Sequence, residues 1–189
     1  LHLCDYNLEN ISALDKINND TLLADVCLAA KHEGQSLVEK YKEHKDNYPH
    51  TNLCTILARS FADIGDIIRG KDLYNGNNRK GEKLEAKIKE YFQKIYDDLM
   101  KDLKNKPAKE EKRKNAEARY KDTTNFYELR EDWWALNRRD VWKAITCDAQ
   151  GFNYFRQTCS NGRSETNNNC RCVIGDVPTY LDYVPQYLR

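Results

Sequence analysis

Apolar side chains recur every three or four residues in four stretches of the chain, which is the spacing of amphipathic helices. The first predicted helix begins at Asn19-Asp20-Thr21, which offers helix caps, and the second follows Thr51. The predicted helices cover about 19–41, 53–69, 84–103 and 126–144, with Gly70 placed to end the second. Four prolines and eight glycines also favour long helices over a sheet sandwich. The pattern predicts a mostly α-helical fold.

A highly charged segment, 104–122, separates the third and fourth predicted helices and is nearly free of apolar residues. It is typical of a solvated helix or a loop, and we expect part of each. The densest basic run of the chain overlaps it. Its candidate ligand-binding residues, for a sulfated glycan or a sialylated receptor, are Lys101, Lys104, Lys109, Lys112, Arg113, Lys114 and Arg119. Acidic residues interleave with them, however, and this favours a solvated face over a binding site.

Residues 151–175 change in character, because Ser, Thr, Asn and Gly surround three cysteines there. The whole chain has seven cysteines, as expected of an extracellular protein held by disulfides, and one of the seven has no partner among the others. Cys170 and Cys172 are too close in sequence to pair without strain. The four histidines lie far from these cysteines, so no zinc site is expected. We predict an irregular loop tied by disulfides.

The charge balance limits the possible functions. There are 31 basic and 30 acidic residues, which argues against a general nucleic-acid binder. No apolar run approaches the roughly 20 residues that span a bilayer, and no signal peptide opens the chain. No metalloprotease, nucleophile-elbow, phosphate-loop or dinucleotide motif is present, so we expect neither an enzyme nor a bound cofactor or metal. The first residues, Leu1-His2-Leu3-Cys4, indicate a piece of a larger domain.

Several charged and aromatic residues have a structural interpretation that competes with a functional one. Abundant carboxylates, Asp63, Asp66, Glu131 and Asp132 among them, are expected to form salt bridges. Adjacent residues on a helix point about 100° apart, so Trp133 and Trp134 cannot share one narrow stripe. We therefore expect one or both to lie between two packed layers. Arg138 is expected to pack or to pair with Glu131, Asp132 or Asp140 rather than to bind a ligand.

Three longer stretches together resemble the Duffy-binding-like domain. They are ARSFADIGDIIRGKDLY at 58–74, LREDWWALNRRDVWKAI at 129–145, and CRC at 170–172 followed by VPTYLDYVPQYLR at 177–189. The last stretch, and LHLCDYNLENI at 1–11, are similar to the alpha class of that domain. This class opens the variant adhesins of the malaria erythrocyte membrane protein 1 family. The resemblance covers essentially the whole chain.

The resemblance implies a helical bundle with a disulfide-tied irregular loop. It divides the chain into the end of a first subdomain at 1–18, a helical second subdomain at 19–175, and the start of a third at 176–189. The implied function is an adhesion module on the extracellular face of the infected erythrocyte membrane, within a membrane-anchored parent protein. Its expected partners are a host erythrocyte surface receptor or a sulfated or blood-group glycan, antibodies, and neighbouring domains of the parent chain. The alternative is an antigenically variable scaffold without its own receptor site.

The same resemblance implies a set of disulfides. Cys4 should pair with a cysteine outside the chain. Cys54 should pair with Cys170 or Cys172, and the other of these two with Cys159. Cys27 should pair with Cys147, which would tie the first helix to the end of the tryptophan-rich helix.

Overall fold

A computed structural model of the chain describes residues 18–47, 52–73 and 79–189. These parts form five α-helices: α1 (Asn19–His44), α2 (Leu53–Arg69), α3 (Arg79–Lys104), α4 (Glu110–Arg119) and α5 (Tyr127–Ile145). Short 3₁₀ turns lie at Lys45–Asn47, Pro107–Lys109, Leu181–Tyr183 and Gln186–Leu188. Pairing of extended segments within the described residues is limited to two isolated bridges in the irregular loop. The predicted mostly α-helical bundle is confirmed.

The helix ends follow from local side-chain chemistry. Asn18 caps α1, since its side-chain oxygen accepts hydrogen bonds from the backbone N–H groups of Asp20 and Thr21, each at 2.9 Å. The Thr21 hydroxyl accepts from the Asn18 N–H and completes a capping box. The cap is thus one residue earlier than predicted. Gly70 ends α2 as predicted, in the left-handed conformation with φ of 70° that favours glycine.

Helix α2 is the central element, and it packs against α1, α5 and the 3₁₀ turn at Leu181–Tyr183. Phe61 of α2 lies 5.1 Å from the Trp134 ring and 5.2 Å from the Trp142 ring, measured between centroids. Trp133 instead contacts Phe92 of α3, at 6.1 Å. Both adjacent tryptophans are therefore buried, each against a different helix, which confirms the expectation of two packed layers.

Close approach of α2 to α5 depends on a glycine. A Cβ atom at Gly65 would lie 2.8 Å from the Trp134 ring, well inside van der Waals contact. Any larger residue would force the indole away from α2 and leave a poorly packed core.

Two disulfides hold the irregular loop that follows α5. Cys54 in the first turn of α2 is bonded to Cys170, and Cys159 is bonded to Cys172 within the loop. These are the two bridges that the resemblance implies, with the choice between Cys170 and Cys172 now made. The sequence separations are 116 and 13 residues. By the chain-entropy relation the Cys54–Cys170 disulfide stabilises the fold by about 5 kcal/mol, and the Cys159–Cys172 disulfide stabilises it by about 3 kcal/mol.

The expected bridge between Cys27 and Cys147 is wrong, because both thiols are free. Gly34 of α1 lies against the carbonyl of Ile145, the last residue of α5, and Cys147 follows Ile145 by two residues. Cys27 precedes Gly34 by seven residues, or about 10 Å along the axis of α1. A disulfide requires Cα atoms within about 7 Å, so Cys27 is out of reach. The predicted pairing of Cys4 lies outside the described residues.

Candidate functional site

The basic run predicted from the sequence lies at the end of α3 and along α4. Lys101 and Lys104 belong to the last turn of α3, Lys109 ends a 3₁₀ turn, and α4 carries Lys112, Arg113, Lys114 and Arg119. No residue of α4 is buried. A helix that is polar on all sides is held by ion pairs rather than by a core. The solvated helix predicted here is therefore found at 110–119, with irregular chain on both sides.

The start of α4 is attached to α3 through the carboxylate of Asp102. Lys106 Nζ donates to one oxygen of Asp102 at 2.7 Å, and Lys109 Nζ donates to the other at 2.8 Å. Hydrogen bonds from Lys106 and Lys109 lower the pKa of Asp102 to about 2. Lys109 is thus committed to a contact within the chain.

The end of α4 is attached to α5 through Asp132. Arg119 Nε and Nη2 donate to the two carboxylate oxygens, both at 2.5 Å, in the bidentate geometry that suits a guanidinium. The Tyr120 hydroxyl donates to the same carboxylate at 2.9 Å. The hydrogen bonds from Arg119 hold the pKa of Asp132 below its usual range. Arg119 is a structural tie, and Lys114 pairs with Glu110 at 3.0 Å.

Four of the seven predicted binding residues remain without a carboxylate partner in the described part of the chain: Lys101, Lys104, Lys112 and Arg113. Lys101 and Lys104 line a groove of about 390 Å³ between α3 and α4, which we call the α3–α4 groove. Its other lining residues are Tyr96, Asp97, Met100, Asn105 and Glu117. Arg113 lies one turn before Glu117 and so on the groove side of α4. Lys101 and Lys104 therefore share the groove with two acids, Asp97 and Glu117.

The sequence stretches that resemble a known family lie elsewhere, in the core. Asp182 is 1% exposed and accepts hydrogen bonds from Trp134 Nε1 at 2.9 Å and from Arg138 Nε and Nη2 at 2.7 and 2.8 Å. Arg138 Nη2 also donates to the Thr179 carbonyl, and Arg69 donates to the carbonyl of Asp182. All three stretches thus meet at one buried aspartate.

Arg138 packs as expected, since its guanidinium lies over the Phe61, Tyr180 and Tyr183 rings, but its expected acidic partners are wrong. Glu131 pairs with Lys71 and Arg69, Asp132 with Arg119, and Asp140 with Lys143. Arg138 points instead toward the segment that follows the loop, where the Asp182 carboxylate is more deeply buried than any acid on α5. The pair of Arg138 and Asp182 could not be predicted from the sequence, because 44 residues separate the two side chains.

A second group of ion pairs joins the C-terminal residues to α2. Arg189 donates to Asp63 at 3.1 Å and to Asp66, and Asp66 also accepts from Arg69 at 3.0 Å. Burial raises the pKa of both Asp63 and Asp66, and Arg189 opposes the rise. With the pairs of Glu131 and Asp132, these contacts confirm that the four carboxylates singled out in the sequence form salt bridges.

Arg130 is a buried residue that the sequence analysis did not single out. Its guanidinium donates to Glu85 of α3 at 2.7 and 2.8 Å and to the carbonyls of Ile67 and Ile68 at the end of α2. Arg130 lies three and four residues before the two buried tryptophans. Residues three or four apart lie on the same side of a helix, so this spacing could have predicted from the sequence that Arg130 is buried with the tryptophans.

Over residues 18–47, 52–73 and 79–189, no group of three or more His, Cys, Asp or Glu side chains is arranged to hold a metal ion. Over the same residues, no helix combines the length and apolar character that crossing a membrane requires.

Comparison with known proteins gives a consistent result. The family model of the Duffy binding domain matches residues 1–189. One similar solved structure is the NTS-DBL1(alpha-1) domain of Plasmodium falciparum membrane protein 1 (PfEMP1) from the varO strain, which is 38% identical to this chain with a TM-score of 0.71. The match covers 99% of this chain and 40% of the solved chain. A second is the ICAM-1-binding PfEMP1 IT4var13 DBLbeta domain, which is 31% identical with a TM-score of 0.65. That match covers 100% of this chain and 39% of the solved chain. A search of curated proteins found no match.

The chain thus spans about two fifths of the length of each solved domain that it matches. Both matches exceed 30% identity over nearly all of this chain, and the family model covers every residue. The chain therefore belongs to the Duffy binding domain family, and the solved structures it resembles are DBL domains of PfEMP1.

Proposed function

We propose that this chain is part of an extracellular adhesion module of a variant surface antigen on infected erythrocytes, and that it binds a host receptor through a sulfated glycan. The family supports adhesion, and one of the two solved relatives is described as ICAM-1-binding. The contact surface we propose is the α3–α4 groove together with the exposed side of α4. The division into subdomains at 1–18, 19–175 and 176–189 belongs to the same proposal.

The observation that carries the proposal is a set of four cations on α3 and α4 that have no carboxylate partner among residues 18–47, 52–73 and 79–189. Lys101 and Lys104 lie one turn apart on α3, and α4 carries Lys112, which is exposed, and Arg113, which is half-buried. A lysine or arginine that holds no internal contact retains its donors for an external anion. Sulfate groups accept such charge-assisted hydrogen bonds, and arginine binds them with two parallel donors.

Binding of the folded chain to immobilised heparin across a salt series tests this proposal. A variant with Lys101→Gln, Lys104→Gln, Lys112→Gln and Arg113→Gln should lose binding, and the salt dependence of the remaining binding should be smaller. The matched control removes four exposed cations from α1 and the turn that follows it, Lys31, Lys40, Lys42 and Lys45, each replaced by Gln. The control should bind like the original chain. If both variants lost the same amount of heparin binding, the binding would depend on net charge alone and not on these four positions.

The alternative function, an antigenically variable scaffold without its own receptor site, rests on a specific observation too. Asp97 and Glu117 line the same groove as Lys101 and Lys104, and they weaken its positive potential. Three of the seven predicted binding residues are committed to internal ion pairs. The scaffold function predicts no heparin or red-cell binding by a folded chain, together with recognition by antibodies that the four-site variant reduces.

A further inference from the structure

The irregular loop contains a short hairpin that is fixed at its base. The Cys159 N–H donates to the Ser164 carbonyl at 3.0 Å. The Cys159 carbonyl accepts in turn from the N–H groups of Arg163 and Ser164, at 2.9 and 3.1 Å. Cys159 is buried, and its disulfide to Cys172 ties the same point to the rest of the loop. Both hydrogen bonds and a covalent bond therefore hold the two sides of this hairpin together.

The tip of the hairpin is an Asn161-Gly162 pair that lies in solvent. Ser160, Asn161 and Gly162 are all exposed, and their φ values of 52°, 58° and 80° put three consecutive residues in the left-handed region. Over residues 18–47, 52–73 and 79–189, neither the Asn161 side chain nor the Gly162 N–H has a hydrogen-bond partner. A Cβ atom on Gly162 would come no closer than 3.8 Å to the loop around it, at the Gln157 carbonyl oxygen. The tip is thus open on all sides.

These features bring together the two groups of a known type of peptide reaction, a nucleophilic backbone nitrogen and an electrophilic side-chain carbonyl. Glycine has no side chain to shield its nitrogen from the carbonyl carbon of the preceding asparagine. The reaction needs the two atoms within about 3–3.5 Å of each other in an aligned geometry. Internal hydrogen bonds would hold the groups apart. Since Asn161 and Gly162 have none among the described residues, rotation at the tip can bring them together.

We infer that Asn161 is a site of spontaneous covalent modification, in which the Gly162 nitrogen attacks the side-chain carbonyl carbon of Asn161. The Gly162 N–H gives its proton to solvent as the N–Cγ bond forms. The Cγ–Nδ2 bond then breaks, and the nitrogen leaves as ammonia after taking a proton from solvent. Water opens the resulting cyclic imide at one of its two carbonyls. One opening gives aspartate, and the other gives isoaspartate, in which the backbone runs through the former side chain.

The modification changes the charge of the tip without removing any contact that holds the hairpin. Either product replaces a neutral amide with a carboxylate, one glycine away from the exposed Arg163, which has no carboxylate partner in the described part of the chain. Isoaspartate also adds a methylene group to the backbone. The open tip can take up this extra length, because the bonds of Cys159 hold the base. This surface shares no residue with the α3–α4 groove and does not depend on the function proposed for it.

Incubation of the folded, oxidised chain in mildly alkaline buffer, followed by proteolysis and mass spectrometry, tests this inference. The peptide that contains Asn161 should gain the mass difference between an amide and a carboxylic acid, and an isoaspartyl methyltransferase should methylate part of the product. The rate should be close to that in the reduced and denatured chain, because the fold does not protect the tip. Asn137, which is buried and donates to the Trp133 carbonyl at 2.8 Å, should stay unmodified in the folded chain.

Two variants identify the reacting atoms. Asn161→Gln keeps Gly162 but lengthens the side chain, so the five-membered ring cannot form and the product should be lost. Gly162→Ala shields the nitrogen with a methyl group and should convert several times more slowly. Asn161→Asp carries one of the expected products and should unfold at the same thermal midpoint as the original chain. The inference is overturned if Asn161 stays unmodified in the folded chain, whether or not the denatured chain converts, or if Gly162→Ala converts as fast as the original.

Discussion

Replacement of Asp182 by alanine is the sharpest test of how the family-specific stretches hold this fold together. The change removes a buried carboxylate and leaves Trp134 Nε1 and the Arg138 guanidinium without the acceptor they share. The Arg138 side chain is only 11% exposed, so water replaces little of what is lost. Loss of one partner from a buried pair costs about 3–5 kcal/mol. For a chain of this size that corresponds to a fall of roughly 10 °C in the unfolding midpoint.

Thermal and denaturant unfolding of the oxidised chain would measure the change. Asp176→Ala provides the control, because Asp176 is an exposed acid a few residues away with no ion pair in the described structure. It should change stability by less than about 0.5 kcal/mol. A double-mutant cycle with Arg138→Ala should give a coupling energy above about 1 kcal/mol. The reasoning fails if the two aspartate variants unfold at the same midpoint or the coupling is near zero.

Two further predictions concern single titratable groups. Burial and the charge of Asp140 raise the pKa of the Cys27 thiol to about 11. Iodoacetamide at pH 8 should therefore modify the exposed Cys147 and spare Cys27 until the chain unfolds. Mass spectrometry would measure this, and equal modification of both cysteines in the folded state would contradict it. Hydrogen bonds from Arg119 lower the pKa of Asp132 in the folded chain. The stabilising contact between the two side chains is therefore fully present above the ordinary aspartate pKa of about 3.9, and it is lost as the pH falls through the lower folded value. The protection of α4 amides against hydrogen exchange, corrected for the intrinsic pH dependence of exchange, should therefore fall on acidification below about pH 4. In Asp132→Asn it should be low already at neutral pH, and protection in the original chain that does not change with pH would be inconsistent with this anchor.

The stretches that resemble the family turn out to serve the scaffold. Several of their side chains meet in the core: Trp134 and Arg138 at Asp182, and Arg130 at the carbonyls that end α2. Such buried polar contacts tolerate little change, because each side chain that loses its partner remains desolvated. The surface we propose for a glycan, at the α3–α4 groove, is made of exposed and half-buried residues outside this network.

The helices and their ends were well predicted from the sequence. Apolar periodicity located α1, α2, α3 and α5, and the glycine at position 70 marked the end of α2 correctly. These features depend on neighbouring residues, which act within one or two helical turns. The two disulfides agreed with the pairings that the resemblance implies, although the resemblance left the choice between Cys170 and Cys172 open.

The candidate site was only partly predictable. The basic run was visible in the sequence, but the acids that engage Lys109 and Arg119 became clear only when α4 was placed beside α3 and α5.

By itself, then, the amino-acid sequence determined the helices, because periodicity and caps are local properties. It also indicated a disulfide-tied loop and a family. Tertiary structure alone decided which charges meet, namely Asp182 with Arg138 and Asp132 with Arg119. It also decided that Cys27 and Cys147 stay apart, because the offset between α1 and α5 places them beyond disulfide reach. Ion pairs and disulfides depend on distances of a few ångströms between remote residues, and these distances are set only when the helices pack.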